Sequence, residues 1–548
     1  MKHTFYSIAI ACMALATTGC NEWLDLKPNN EQVSDDYWQS KEDVEAVVTA
    51  GYYYMRTATP KLLAWGELRG GTIRTTVLND AEAKMQNFDM LPSNTCSEYS
   101  SLYEIINMAN SVLKNAPGVQ TVDETYYNAV LNSHLCEAYF QRAYAYSILL
   151  KNWREVPLVV DAYDTDKADF ELPKASEEEI VAQIKSDVKA ALATGAAKAF
   201  YEEEWQTKGR ATKWALYALM ADVCLWNHDY DECIQYCNEI LDATDAMRPA
   251  FITSTMRWYE IFYPGNSNES IFELNWDGPT LGQTNNFQSK FTQQQGTTYV
   301  ITARAQEQMR TETQEVLEQG ASSTGRIGRM LLATYVCGAQ SSTYAAWQVA
   351  PEYYVWKFKG TEVLEVENTR LRNDANYILY RVADVMLMKA EALTMKGEAS
   401  WPAAVRLINQ IRVRAGLSPF VEENDDFAVN VAALDELTLL TEVLAQRDME
   451  FVAEGKRWYD VLRLARYDGA FAPQDDLGRG TASADNGMPM NGYMKQATEL
   501  IVAGNSTTSA AQLRSVLSNP WAWYLPIPQG DIDTNDNIVQ NPYYSTAK

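Results

Sequence analysis

Apolar positions along most of this chain recur every three to four residues, the spacing that gathers them on one face of a helix. The pattern is clearest from Lys208 to Leu241, where Trp214, Tyr217, Leu225 and Trp226 supply a first helix and Ile234, Cys237, Ile240 and Leu241 stripe a second. His228 and Asp229 make the turn between them, and the small Cys233 just after it lets the two helices approach closely, as in the second half of a tetratricopeptide unit. Tyr377 to Gly416 repeats the design around Gly397, with Val385, Leu387 and Ala390 on one side and Ala404, Val405, Ile408 and Ile411 on the other. His134 to Leu150 with Ser176 to Leu192 predicts a third pair, and Leu434 to Arg466 supplies further helical pattern. One hairpin cannot bury its apolar face alone. The predicted fold is therefore mostly α, with tetratricopeptide-like hairpins forming a helical layer around long loops and short β-hairpin insertions.

Elsewhere the rhythm changes. A helix is expected around Asp43 to Arg56 and another over Tyr99 to Asn115, with Leu102, Ile105, Ile106 and Ala109 inward. The stretch from Thr72 to Glu98 between them reads as a long polar loop, and long ordered loops tend to carry function. From Phe251 to Asn376 the helical spacing lapses into strand-like runs, NESIFELNWDGPT and YVWKFKG, separated by Gln-, Thr-, Gly- and Ser-rich sequence. At the N-terminus, Lys2 and His3 precede an apolar run from Phe5 to Ala16, about 18 Å of helix against a hydrocarbon core of roughly 30 Å. It reads as a secretory signal over residues 1–19, and the small residues Thr17, Thr18 and Gly19 before Cys20 resemble a lipoprotein cleavage site, which makes Cys20 the expected lipidation site. Residues 20–548 are then expected to form one domain: a helical part over about 30–250, a loop- and β-rich insertion over about 251–376, a second helical part over about 377–470 and an irregular tail over 471–548.

Charge and cysteines narrow the chemistry. A net charge of -26 argues against a broad nucleic-acid footprint. Cys224, His228, Cys233 and Cys237 have spacings that zinc sites use, but the hairpin register already places the three cysteines inward, where free thiols behave as small hydrophobes. No metal and no cofactor are expected. The chain lacks G-x-S-x-G, G-x-G-x-x-G and G-x-x-x-x-G-K motifs, and beyond the signal its histidines are His134 and His228, neither accompanied by a nucleophile. Arg447, Glu450, Glu454, Arg457, Asp460 and Arg463 sit at three- and four-residue spacings and read as ion pairs that hold the fold rather than as acid/base catalysts.

Many ordered stretches carry a resemblance. LRGG from Leu68, SLYEIINMAN, FQRAYAYSIL followed by VPLV, KGRATKWAL, ESIFELN, YRVADVMLMKAEAL, INQIRVRAG, EGKRWYDVLR and the ending YLPIPQGDIDTNDNIVQNPYY make the chain similar to the SusD/RagB family of surface nutrient-binding lipoproteins. That resemblance implies four tetratricopeptide-like hairpins, an outer-membrane location through a lipid anchor, a glycan ligand, and a SusC-like TonB-dependent transporter as partner. A peptide-binding lid is the alternative it leaves, and a secreted glycoside hydrolase is a third class. Two departures stand out: Arg154-Glu155 replaces the glycine that usually precedes the Asp-Val-Pro segment, and Gln446 replaces the glutamate of an E-R motif.

Aromatic faces are common platforms for sugar rings, and the chain holds 15 Trp and 32 Tyr. Position outside the repeats selects Trp65, Asn79, Asp80 and Tyr99 near the early loop, and Trp276, Tyr299, Tyr344 and Trp347 in the insertion, as candidate ligand-binding residues. Of these, Trp276, Tyr299, Tyr344 and Trp347 are expected to be exposed, the alternative for Trp276 and Trp347 being that they cap the helical core. Arg69, Arg74 and Lys84 form a candidate basic patch that would admit an anionic glycan in spite of the overall charge.

Overall fold

The computed structural model describes residues 37–164, 169–292, 297–319, 329, 334–336, 353–359, 370, 372–467 and 492–545. Cys20, Tyr344 and Trp347 lie outside them. In chain order the longer helices are α1 (Lys41–Glu67), α2 (Ser100–Val119), α3 (Asn128–Trp153), α4 (Glu177–Ala193), α5 (Lys213–Trp226), α6 (Tyr230–Leu241), α7 (Ala303–Glu318), α8 (Val382–Met395), α9 (Trp401–Arg414), α10 (Glu436–Glu450), α11 (Arg457–Arg466), α12 (Gly492–Gly504) and α13 (Ala510–Leu517).

The hairpins read from spacing are present and stack in sequence. α3 packs on α4, α5 on α6 and α8 on α9, while α4 against α5, α6 against α8 and α8 against α10 join them into one layer. Cys224, Cys233 and Cys237 are fully buried between these helices, and His228 turns the chain with φ 62°. Its ring lies against Tyr230 and Tyr467, and burial, then Arg466 and Arg463, lower its pKa to about 4. Beside the turn, the Lys185 ammonium bridges Asp229 and Glu232 at 2.5 and 2.6 Å.

The early part differs from expectation. A single helix runs from Lys41 to Glu67 straight through Pro60. The Arg56 carbonyl, which a prolyl nitrogen at position 60 cannot serve, accepts the Thr59 hydroxyl instead. The polar stretch that follows is not a plain loop. It holds strand β1 (Ile73–Thr75) and a short helix, Ala81–Gln86. The expected irregular tail also contains α12 and α13, where Met494, Ala497 and Ile501 fall on one buried face.

The strands form small two-stranded sheets, and two of these join distant parts of the chain. β1 pairs antiparallel with β5 (Tyr299–Ile301), and β4 (Ser270–Leu274) pairs with β8 (Tyr377–Arg381) in the register Leu274 opposite Tyr377. The remaining pairs, β2 (Val156–Pro157) with β3 (Lys174–Ala175) and β6 (Thr334–Val336) with β7 (Tyr353–Val355), close shorter loops. β4 is therefore no local hairpin but one half of a clasp across about a hundred residues.

Behind this clasp the late-helix charges neutralise one another in the core. Arg381 donates to Glu269 and Glu450 at 2.8 Å and to Glu454 at 3.0 Å, and Glu450 also receives Arg414 at 2.6 Å and Arg329 at 3.1 Å. Arg447 bridges Asp384 and Asp460, while Arg463 clamps Glu391. Burial alone would raise the Glu450 carboxyl, but the surrounding arginines hold it well below the usual range. Buried ionised groups tolerate this position only when paired in this way.

Candidate ligand-binding cleft

The β4–β8 clasp ends at an open cleft of about 1080 Å³. Where β4 runs out, Asn275 and Trp276 lie beside Asn376, the residue before β8, and the Trp276 amide donates to the Asn376 side-chain oxygen at 3.1 Å. Phe287 packs behind the indole with ring centres 5.9 Å apart, so one part of Trp276 rests on the core while the residue also lines the cleft. Arg56, carried there by α1, lies 4.9 Å from the centre of the same indole.

The rim is a turn over residues 277–283. Asp277 caps it by accepting the Thr280 amide at 2.8 Å, and Gly282 closes it at φ 66°, a conformation suited to glycine. The Gln283 side-chain oxygen receives both the Asp277 amide and Arg56, each at 3.0 Å. On the far side Arg370 donates to Asp374 at 2.7 Å and to the Pro264 carbonyl at 2.9 Å, with its guanidinium 5.2 Å from the Tyr263 ring centre. Trp205, 53% exposed, and Leu281, 67% exposed, stand at the mouth.

Amides line the floor. Asn275 donates to the Trp205 carbonyl at 2.7 Å, but the side-chain oxygens of Asn275 and Asn266 have no hydrogen-bond donor among the described residues. Beneath them the buried Glu273 accepts the Asn266 amide at 2.5 Å, and burial pushes its carboxyl up to about 7. The arrangement offers aromatic faces, amides and guanidinium groups on a solvent-open surface, the chemistry of a polar, ring-bearing ligand.

The residues chosen from sequence scatter. Trp276 lies in the cleft. Trp65 is fully buried, donates its indole N–H to the Cys96 carbonyl at 2.8 Å and meets Trp153 edge-on, so it is a core residue. Tyr299 is likewise buried, in β5 against Phe291, contrary to its expected exposure, because the β1–β5 pairing draws it inward. Asn79 is exposed at φ 64°, and Asp80 caps the short helix by accepting the Ala83 amide at 2.7 Å. Tyr99 donates its hydroxyl to Asp531 and lines a separate groove of about 430 Å³ with Tyr103, Tyr163 and Phe170. The basic patch does not assemble either: Arg69 is buried, 4.1 Å from the Trp458 ring centre, and donates to Asn152 and the Trp523 carbonyl. Trp205, Tyr263, Arg56 and Arg372 also line the cleft and are not among the residues that sequence position selects. Only Trp205 carried a signal, a lone tryptophan in the polar run YEEEWQTKGR.

The model of the SusD family matches residues 225–544, and a second, described as starch-binding associating with outer membrane, matches residues 22–225. The chain belongs to the SusD family. It is 24% identical over 503 residues to SusD-like protein P38 of Formosa agariphila, covering 86% of this chain and 94% of that one. A SusD superfamily protein from Bacteroides vulgatus superposes with a TM-score of 0.68 at 18% identity, covering 92% of this chain and 100% of the other. A laminarin-binding SusD-like protein (TM-score 0.61, 19% identity, 92% and 99% covered) and surface glycan-binding protein A from Bacteroides uniformis (0.62, 21%, 92% and 100%) share the fold.

Proposed function

We propose that this protein captures glycan chains at the cell surface, in the cleft around Trp276, and releases them unchanged. The observation that carries the reading is the joint placement of Trp276, Trp205 and Tyr263 with the amides of Asn266, Asn275 and Asn376 around one open cleft. Rings stack on sugar faces, and amides pair with hydroxyls. Membership of a family whose relatives include a laminarin-binding protein and a surface glycan-binding protein supports it. The open mouth at Trp205 and Leu281 suits a polymer that enters and leaves sideways, which favours a glycan over an enclosed peptide.

Among the described residues that line the cleft the carboxylates are Asp277, held by the Thr280 amide, and Asp374, held by Arg370, while Glu273 below the floor is buried and accepts the Asn266 amide, which supports binding without hydrolysis. In this reading Cys20 carries the lipid that holds the protein on the outer membrane, and a SusC-like TonB-dependent transporter receives the ligand. The test is a binding screen of the chain from Asn21 onward against plant, microbial and host polysaccharides and a peptide pool, with products assayed in the same tubes. Retention of a glycan class without shortened products is expected; retention of peptides alone, or release of shortened sugars, would overturn the reading.

A further inference from the structure

We infer that the cleft selects anionic glycans, those bearing uronate carboxylates or sulfate esters, and that Arg56 and Arg372 read the negative group. This inference rests on the cleft being the glycan site. Its basis is the arginine pairing across the molecule. With 72 Asp and Glu against 46 Lys and Arg, an arginine in this chain meets a carboxylate easily, and Arg142, Arg210, Arg381, Arg412, Arg447 and Arg463 all do. Arg56 and Arg372 have no carboxylate partner among the described residues, and both line the cleft.

They are also anchored on the same turn. Arg56 reaches the Gln283 side-chain oxygen through one terminal nitrogen, and Arg372 reaches the Gly278 carbonyl at 2.6 Å through one of its own. Each contact is to a neutral acceptor, so neither guanidinium has its charge offset by that contact and each has donors to spare. Arg56 also lies over the Trp276 ring, 4.9 Å from its centre. The other charges lining the cleft, Asp277, Asp374 and Arg370, are already engaged within the wall. Among the described lining residues there are thus three arginines to two aspartates in a protein of charge -26, a local reversal of sign at a cleft where rings and amides converge. Because the molecule as a whole repels a polyanion, retention of one has to come from such a local site.

The experiment measures retention and affinity at 150 mM salt for alginate and polygalacturonate, for carrageenan and dextran sulfate, and for neutral laminarin and amylose. The proteins are the wild type, Arg56→Gln, Arg372→Gln, Trp276→Ala, and Arg514→Gln as a control at a surface pair with Glu499. Expected is binding of an anionic polymer that weakens at least tenfold in both cleft arginine variants and not in the control. Preference for the first two polymers identifies the carboxylate as the group read; preference for the second two identifies the sulfate. Arg372 is exposed, so its variant reports even if Arg56→Gln lowers the melting temperature. Binding of a neutral glycan that Trp276→Ala weakens and the arginine variants leave intact would overturn the selectivity and keep the cleft. Anionic binding unchanged in both arginine variants would overturn it as well. Retention of no glycan of any class would overturn both this inference and the proposed function.

Discussion

The Arg56 guanidinium lies 4.9 Å from the centre of the Trp276 indole, although the two residues are 220 positions apart and sit on different kinds of structure. The contact ties the middle of α1, one turn before its proline, to the end of β4. It predicts a division of labour among the cleft aromatics. Trp276→Ala loses both its ligand face and its packing on Phe287, so binding falls and stability drops by about 1–3 kcal/mol. Trp205→Ala, at an exposed position, should weaken glycan binding while shifting stability by less than about 0.5 kcal/mol. Paired titrations and denaturant melts of the two variants check this.

The buried network around Arg381 and Glu450 is a stability element. Glu450→Ala leaves Arg381, Arg414 and Arg329 facing one another without their shared acceptor. A loss of roughly 3–5 kcal/mol is expected, because removing one partner strands buried charge. Urea unfolding measures it, and a loss under about 1 kcal/mol would show that water replaces the carboxylate.

Glu67 gives a pH signature. It is fully buried, one oxygen accepts the Gly455 amide at 2.7 Å and the other has no hydrogen-bond partner among the described residues, and burial pushes its pKa up to about 8. The folded state therefore binds a proton that the unfolded chain releases near pH 4.5. This contribution is complete below pH 4.5 and is lost as pH rises through about 8. Glu67→Gln keeps the acceptor and abolishes the titration. The variant should come close to wild type near pH 5 and exceed it at pH 9, by roughly 4 kcal/mol. Melting curves across that range provide the check, and parallel curves would refute the assignment.

Arg154 holds φ 71°, the position where the family resemblance leads one to expect glycine. Its side chain compensates by donating to Glu177 at 2.9 Å and lying 4.8 Å from the Trp521 ring centre. Arg154→Gly relieves the backbone but loses both contacts; Arg154→Ala loses the contacts and keeps the strain. The expected order of melting temperature is wild type, then Gly, then Ala, with the last two separated by about 1 kcal/mol.

What could be read from sequence follows from how local each signal is. The α5–α6 and α8–α9 hairpins were legible because Cys233, Ile240, Ala404 and Ile408 declare their inward face within a few residues. The β4–β8 clasp was not, since Ser270–Leu274 finds its partner a hundred residues on and neither run names the other. Aromatic identity misled at Trp65 and Tyr299, where the same ring chemistry that suits a sugar also fills a core. Arg56 escaped notice because it looks like any polar position of a helix, and only the fold brings residue 276 beside it.

The central claim is that the Trp276 cleft is where ligand binds. The most direct measurement is the affinity of wild type and Trp276→Ala for the best-retained glycan of the screen, with melting curves on the same samples. The account predicts at least a thirtyfold loss, about 2 kcal/mol, in a variant that remains folded at the assay temperature. Equal affinity in the two folded proteins would place the ligand elsewhere and contradict it.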